Sequence, residues 1–332
     1  MTPGPPVDTV SHSRLYRDGK LEREDIPIGE VSDYLDEPNT LVWVDLCAPS
    51  ADHIKRVGDQ LGLHELAVED AIESHQRPKL DRYVDHQFLS MYAVHLDAAS
   101  GQLLLSEVSA FLTASALVTI REDDAFAMHD VTDRWDDSPE LAGYGVAGLL
   151  YGLVDSVVDG HFDAVQTLDD EIEQLEDLLF DDRSRNVDVQ RRSFALRKSL
   201  VTLRRVVLPM REVVNTLMRR DLGIVHQEMG PYFQDVYDHV LRATEWTESL
   251  RDLVTTVLET NLTIQSNRLN VITKQVTSWA AIIAVPTAIT GFYGQNLPYP
   301  GFAAQSGFFW SCLLILVLSG ALYVTFRRKG WL

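Results

Sequence analysis

An uncharged stretch near the C-terminus carries the residues whose types and spacing could handle a metal ion. The run from Gly291 to Asn296 (Gly-Phe-Tyr-Gly-Gln-Asn) sets a glycine beside two side-chain amides. Amide and backbone carbonyl oxygens can accept hydrogen bonds from the water shell of Mg²⁺, which dehydrates reluctantly. Carboxylates would hold the ion too firmly for conduction. Glycine and asparagine also favour plain turns, so the meaning of the run depends on its flanks.

The run joins two segments that could cross a bilayer. They extend roughly from Val276 to Phe292 and from Gly307 to Phe326, and no Asp, Glu, Lys, Arg or His occurs between Val276 and Phe326. As a helix the second segment reaches about 30 Å, the thickness of a hydrocarbon core. A soluble core is a poor alternative in a chain with 23% charged residues. The sequence therefore predicts a membrane hairpin.

The flanking charges predict the orientation of this hairpin. Basic residues precede the first segment and follow the second, whereas the connecting loop carries no charge. The positive-inside rule places both termini in the cytoplasm and the loop outside, in a multi-pass protein of the cell (inner or plasma) membrane. The basic residues are Arg268, Lys274, Arg327, Arg328 and Lys329.

A stripe of small and polar residues follows the first segment. Its members recur about every 3.5 residues, as on one helix face, while bulky residues such as Ile283 lie off it. Small residues also permit close helix packing in lipid, but Asn270, Thr273 and Thr287 favour a wet lining. Two spans cannot enclose a pore, so several copies must each contribute one helix. The stripe comprises Asn270, Thr273, Val276, Ala280, Ala284, Thr287 and Gly291.

Composition limits the partners and the chemistry. The formal net charge of −20 excludes nucleic acid as a partner, because phosphate binding needs a basic surface, and it favours attraction of cations. Residues 143–148 fit GxGxxG but follow no predicted strand. Cys47 and Cys312 form no paired metal site. We predict a non-enzyme without an organic cofactor.

Hydrophobic periodicity predicts an α/β domain followed by long helices. A heptad seam from Val165 to Leu179 lies in a strongly acidic helix, and the next helix is basic. Either their charges offset each other across a hairpin, or the acidic tip concentrates Mg²⁺. From Pro231 a helix continues without Gly or Pro as far as Pro286. Strands are predicted over 39–46, 83–95, 103–112 and 116–121, and helices over 51–61 and 64–74.

The predicted fold class is an α+β membrane protein with an N-terminal cytosolic α/β domain, a long helical stalk and two C-terminal transmembrane helices. The predicted divisions are a disordered tail (1–13), the α/β domain (14–142), an acidic and basic helical hairpin (143–230), a stalk continuing into the first transmembrane helix (231–293), an extracellular selectivity loop (294–306), the second transmembrane helix (307–326) and a basic C-terminus (327–332).

The run Tyr293-Gly294-Gln295-Asn296, closing the first of two C-terminal spans, resembles the Tyr-Gly-Met-Asn motif of the CorA family of magnesium transport channels. Residues 68–70 (Val-Glu-Asp), 75–79 (His-Gln-Arg-Pro-Lys) and 231–239 strengthen the match. The resemblance implies a homopentamer with the first span lining the pore. It implies influx of Mg²⁺, with Co²⁺ or Ni²⁺, down the membrane potential. Mg²⁺ would be both transported and regulatory.

In the resembled family intracellular Mg²⁺ binds carboxylates between neighbouring cytosolic domains and closes the channel. Carried over by motif, the regulatory metal ligands would be Asp70, Asp155 and Asp235, with Glu69 and His239 as further contributors. The alternative is that these are ordinary surface acids.

This chain departs from the family pattern in three places. Gln295 replaces Met, residues 297–305 contain no acid, and Thr273 stands where a bulky apolar gate is common, which leaves Val276 as the candidate constriction. A zinc-exporting branch of the same fold also varies at the middle residue of the motif, so a zinc or other divalent-cation exporter is the alternative function. A membrane-anchored sensor or scaffold is a further one.

Overall fold

A seven-stranded sheet with helices on both faces forms the first part of the chain. The computed structural model describes residues 11–73, 76–97, 102–180, 186–219, 223–295 and 305–332. The order of the strands across the sheet is β2-β1-β3-β7-β6-β5-β4. The strands are β1 (Ser11–Arg17), β2 (Lys20–Glu24), β3 (Thr40–Cys47), β4 (Lys79–Arg82), β5 (Gln87–Asp97), β6 (Gln102–Leu112) and β7 (Ala116–Arg121).

Only the β3–β7 pair is parallel among the described strands, and the other neighbours are antiparallel. The prediction of a partly antiparallel α/β sheet is therefore confirmed. Strand β3 shows why this sheet is buried on both faces. Leu41 and Trp43 contribute to one core, whereas Val42 and Val44 contribute to the other, as the two-residue repeat of a strand requires.

Three short helices cover one face of the sheet: α1 (Val31–Leu35), α2 (Ala51–Leu61) and α3 (Glu65–Ile72). Helix α2 begins and ends as its sequence predicts. The Ser50 hydroxyl accepts a hydrogen bond from the His53 amide at 3.2 Å, and Gly62 closes the helix at φ 66°. A side-chain cap at the start and a left-handed glycine at the end are the usual helix boundaries.

The opposite face carries α4 (Met128–Asp137), α5 (Val146–Phe180), α6 (Asn186–Leu217) and the first turns of α7 (Gly230–Tyr293). The predicted heptad seam of α5 is confirmed, since Val165, Leu168, Ile172 and Leu175 are buried. The GxGxxG match of residues 143–148 does not form the strand-to-helix turn that binds a dinucleotide. It enters α5 from the 3-10 turn Leu141–Tyr144 instead of from a strand.

The charges of α5 and α6 do not offset each other through ion pairs. Within the described ranges, none of the acidic side chains of α5 from residue 169 to 177 pairs with a basic side chain of α6, and Arg204 of α6 contacts Glu248 of α7 at 3.3 Å. The two helices pack on each other and the heptad seam of α5 faces inward, whereas the offset of their charges stays a prediction. The acidic tip residues Asp181 and Asp182 lie outside the described residues.

Helix α7 is continuous over 64 residues and ends at Tyr293, which confirms the predicted long helix. Pro286 lies inside it. The chain divides into two units, Met1–Thr256 and Val257–Leu332. The second unit contains the C-terminal half of α7 and helix α8 (Gln305–Arg328). An α+β protein with a sheet domain, a long helix and two C-terminal apolar helices is thus confirmed.

Two local predictions are wrong. The tail was expected to extend to Ser13, yet β1 begins at Ser11 and forms a hairpin with β2. The predicted strand over 83–95 is in fact a turn followed by β5. The Tyr83 amide donates to the His86 carbonyl at 2.9 Å, and Val84 between them is 98% exposed. Val84 is β-branched, a residue type typical of strands, and the sequence pattern therefore placed the start of the strand too early.

Candidate ion-transport site

The motif Tyr293-Gly294-Gln295 ends α7. The Gly294 amide donates to the Thr290 carbonyl at 2.8 Å, and the Gln295 amide donates to the Phe292 carbonyl at 3.2 Å. A Cβ atom at Gly294 would lie 2.9 Å from the Thr290 carbonyl oxygen, closer than ordinary contacts allow. Glycine is therefore needed for this tight helix end. Asn296, the fourth residue of the motif, lies outside the described residues.

The predicted stripe lies along α7 at exposed positions. All seven of its members, from Asn270 to Gly291, are exposed, and Ile282, Val285 and Ile289 are partly covered, but Ile283, which also lies off the stripe, is 63% exposed. The Thr287 hydroxyl donates to the Ile283 carbonyl at 3.0 Å, so its oxygen lone pairs remain free to accept from water. The stripe members are Asn270, Thr273, Val276, Ala280, Ala284, Thr287 and Gly291.

Among the described helices, two are long and apolar enough to cross a membrane, the C-terminal part of α7 and α8. The 24 residues of α8 reach about 36 Å at the helical rise. Large apolar side chains such as Leu316 and Phe309 are 72% and 70% exposed. Exposed apolar surface on this scale marks contact with lipid or with another chain.

The carried-over residue Asp70 is already paired. The Lys79 ammonium contacts the Asp70 carboxylate at 2.6 Å and the Asp81 carboxylate at 2.8 Å. Burial works against the charge of Lys79, but the hydrogen bonds to these two carboxylates raise its pKa. Glu69 beside Asp70 is exposed. The Asp70 carboxylate is thus held by a cation of its own chain.

The structure brings together three of the other carried-over residues, Asp155, Asp235 and His239. His239 lies 3.9 Å from Asp235 and, through its other ring nitrogen, 3.9 Å from Asp159. Ligand atoms of Asp155, Asp159 and His239 all lie within 4.8 Å of one another. Helices α5 and α7 therefore build a small acidic cluster, which we call the α5–α7 cluster and define as Asp155, Asp159, Asp235 and His239.

Arg134 of α4 contacts the α5–α7 cluster directly. One guanidinium nitrogen contacts Asp155, and the other contacts Asp159 at 2.8 Å. Burial raises the pKa of Asp155, and the nearby Asp159 carboxylate raises it further. Burial also raises the pKa of Tyr151, to about 12, with Asp155 as the second cause. Arg134 offsets the negative charge that would otherwise accumulate there.

Sequence reasoning missed Asp159 and Arg134. Asp159 could have been found, because it follows Asp155 by four residues and so lies on the same helix face. Arg134 gives no such signal, since it is separated from Asp155 by 21 residues and meets it only through the packing of α4 on α5. His161 is not part of the cluster. Its ring is buried against the Tyr92 carbonyl at 2.7 Å, and burial lowers its pKa to about 4.

These features define an integral membrane protein that joins a mixed sheet domain to a pair of C-terminal apolar helices. The chain belongs to the CorA family: residues 38–328 match the family described as CorA-like Mg²⁺ transporter protein. It is 30% identical to the cobalt/magnesium transport protein CorA of Thermotoga maritima, over 99% of this chain and 97% of that protein.

Other relatives differ in the ion that their names give. A zinc transport protein, ZntB of Pectobacterium carotovorum, is 25% identical over 77% of each chain. The complete structure of the CorA magnesium transporter from Methanocaldococcus jannaschii superposes with a TM-score of 0.78 at 22% identity, covering 98% of this chain and all of that one. This family is one of transporters and not of enzymes.

Proposed function

We propose that the protein is a homopentameric divalent-cation channel that admits Mg²⁺, together with Co²⁺ or Ni²⁺, down the membrane potential. The observation that carries the proposal is the exposed stripe of small and polar residues on α7, which ends at the Tyr-Gly-Gln helix terminus. A membrane anchor has no need of such a stripe. The name of the Thermotoga maritima relative supports the same choice of ions.

The membrane potential supplies the driving force in this proposal. Moving one charge through 100 mV is worth about 2.3 kcal/mol, so a divalent ion gains about 4.6 kcal/mol. Both termini lie in the cytoplasm, and the helix end at Tyr293 faces outside, because the basic residues flank the hairpin on one side. Influx then needs no nucleotide site.

The stripe of one chain becomes a pore wall when several copies surround an axis. Two spans cannot enclose a channel, and a closed ring of identical subunits places the same helix face inward in each. Asn270, Thr273 and Thr287 offer hydroxyl and amide oxygens to hydrated ions, and Val276 is the narrow apolar position. At the outer mouth Gly294, Gln295 and Asn296 form a ring of amides and carbonyls that binds the water shell weakly enough to release the ion.

Cysteine labelling tests which face of α7 is wet. In a background without Cys47 and Cys312, cysteine at Asn270 or Thr287 is expected to react at least about tenfold faster than cysteine at Ile283 with a charged, water-soluble thiol reagent. The reason is that the reactive thiolate forms in water and not in lipid. Equal rates at the three positions would show that the pore face is misassigned.

Internal Mg²⁺ closes the channel in this proposal by binding carboxylates at the subunit boundary. Facing carboxylates repel each other unless a cation lies between them, so the loss of Mg²⁺ favours the open state. Asp235 is suited to such a role because its side chain is 64% exposed. The Asp70 side chain is 25% exposed, and its carboxylate is already paired with the Lys79 ammonium.

Replacing Asp70 and Asp235 together by Asn is expected to shift closure to severalfold higher internal Mg²⁺, with the maximal flux unchanged. The measurement is flux or current while internal Mg²⁺ is raised. The double variant Asp52→Asn with Asp85→Asn is the matched control, since it removes the same charge from positions outside the carried-over set. An inhibition curve identical to wild type in the Asp70 and Asp235 variant would remove this pair as the sensor.

Ion uptake by proteoliposomes that contain only this protein tests the function and its main alternative. With an inside-negative potential, the proposal expects Mg²⁺ influx that Co²⁺ inhibits by competition. A zinc transporter, favoured by the similarity to ZntB, would instead move Zn²⁺ at concentrations at which Mg²⁺ uptake is undetectable. The membrane-anchored sensor would move neither ion.

A further inference from the structure

The α5–α7 cluster already holds a cation, and that cation is an arginine of the same chain. Arg134 donates from Nη2 to Asp159 Oδ2 at 2.8 Å and from Nη1 to Asp155. The Asp155 side chain is 13% exposed and that of Arg134 is 34% exposed, so the pair is partly shielded from water. Charge-assisted contacts of one guanidinium with two carboxylates are strong and directional.

The packing of α4 against α5 fixes Arg134 in this place. Trp135, the next residue, is 3% exposed and meets the Trp43 ring edge-on at 5.0 Å. Its indole lies against Gly152, where a Cβ atom would come within 2.4 Å of the indole nitrogen. Gly152 and Asp155 lie one helical turn apart, and Asp159 follows on the same face. A helix anchored through Trp135 therefore delivers the preceding side chain to the two carboxylates.

Helix α7 completes the surroundings of the guanidinium. His239 lies 3.9 Å from Asp159 and 3.9 Å from Asp235. Three carboxylates thus face one arginine and one histidine. Mg²⁺ requires oxygen ligands at about 2.0–2.1 Å in near-octahedral geometry. Arg134 holds Oδ2 of both Asp155 and Asp159, and its positive charge lies beside their Oδ1 atoms, so this arrangement does not suit a metal while the arginine stays in place.

We propose that Arg134 is the resident cation of the α5–α7 cluster, and that a divalent ion binds there only by displacing it. The arginine lowers the affinity of the cluster for divalent ions in two ways: it occupies one oxygen of each of Asp155 and Asp159, and it repels a second cation at close range. The consequence for gating rests on the proposed function. Asp155 and Asp159 stay neutralised without Mg²⁺, and sensing of internal Mg²⁺ falls to carboxylates that Arg134 does not contact, such as Asp235 with Asp70.

Mn²⁺ binding to the purified full-length protein, followed by electron paramagnetic resonance, tests the proposal. Arg134→Gln is expected to bind one Mn²⁺ per chain at the α5–α7 cluster at least about tenfold more tightly than the wild type does, because a neighbouring positive charge is removed. Adding Asp159→Asn to that variant should abolish the gain. Arg14→Gln is the matched control, since Arg14 also contacts two carboxylates, those of Glu24 and Asp136, in the same domain.

Two outcomes would overturn the proposal: unchanged Mn²⁺ binding in Arg134→Gln, or an equal gain in Arg14→Gln. If Arg134→Gln does not fold, Arg134→Lys decides the matter. Lysine keeps the charge but cannot make the forked contact of a guanidinium with two carboxylates. A gain of about threefold in Mn²⁺ affinity is therefore expected, and no gain contradicts the proposal. Mg²⁺ flux is measured on the same preparations. A wild type without flux would refute the channel, whereas the binding comparison would stand independently.

Discussion

Asn296→Ala is expected to abolish Mg²⁺ flux, a loss of at least about a hundredfold, while the oligomer remains assembled. The amide of Asn296 ends the uncharged motif that begins at Tyr293, and in the proposed function its oxygen is the side-chain acceptor for the water shell of the ion. Alanine has no side-chain oxygen that could accept a hydrogen bond from the hydrated ion. A substitution away from packed elements typically alters stability by only about 0.5 kcal/mol, so a fall in flux with the oligomer intact would report on conduction.

Gln305→Ala is the control for this prediction. Gln305 carries a similar amide and begins α8, at the other end of the connection, but lies outside the motif. We expect it to conduct at the wild-type rate, and both variants should elute with the wild-type oligomer in size-exclusion chromatography. Near-normal flux through Asn296→Ala would mean that the motif does not recognise the ion.

Arg121→Met is expected to cause the largest loss of stability in the sheet domain. The Arg121 guanidinium contacts Asp45 at 2.8 Å, with exposed side-chain fractions of 3% and 0%. It also donates to the Phe126 carbonyl at 2.9 Å. Removing it leaves the Asp45 carboxylate buried with the Thr119 hydroxyl, at 2.7 Å, as its remaining described partner. Breaking a buried pair in this way costs about 3–5 kcal/mol.

The measurement is the thermal unfolding midpoint of the purified protein, followed by tryptophan fluorescence because Trp43 donates to Thr119 beside the pair. The loss corresponds to a fall on the order of 10 °C for a domain of this size. Arg17→Met is the control: its pairs with Glu22 and Glu37 are 38–42% exposed, and such pairs contribute about 1 kcal/mol or less. Equal midpoints for the two variants would contradict the importance of the buried pair.

The elements with strong apolar patterns were predictable from sequence, and the charged ones were not. Strand β7 (Ala116–Arg121) has the predicted bounds, because a short apolar run between turn residues has few other interpretations. The hairpin of β1 and β2 was missed, since both strands are rich in charge. Its signal was the dipeptide Asp18-Gly19, which joins them with φ of 50° and 74°, the geometry of a two-residue hairpin turn.

Features of the site that lie within one helix were predictable from sequence, and those that depend on packing between helices were not. The stripe on α7 follows from helical periodicity, and its members lie on one continuous helix; that this face lines a pore stays a prediction. The α5–α7 cluster depends on tertiary packing. Motif resemblance supplied Asp155, Asp235 and His239, but nothing local in the sequence shows that Arg134 will reach Asp155 and Asp159 once Trp135 packs on Gly152.

Current through a planar bilayer that contains only this protein, with Mg²⁺ as the sole permeant cation, tests divalent-cation conduction most directly. With a tenfold Mg²⁺ gradient, a Mg²⁺-selective channel should reverse near 30 mV in magnitude, because each ion carries two charges and the potential per decade is about half that of a monovalent ion. The current should disappear in Asn296→Ala. A reversal potential of the sign expected for the anion, or no current above that of protein-free bilayers, would contradict a Mg²⁺ channel.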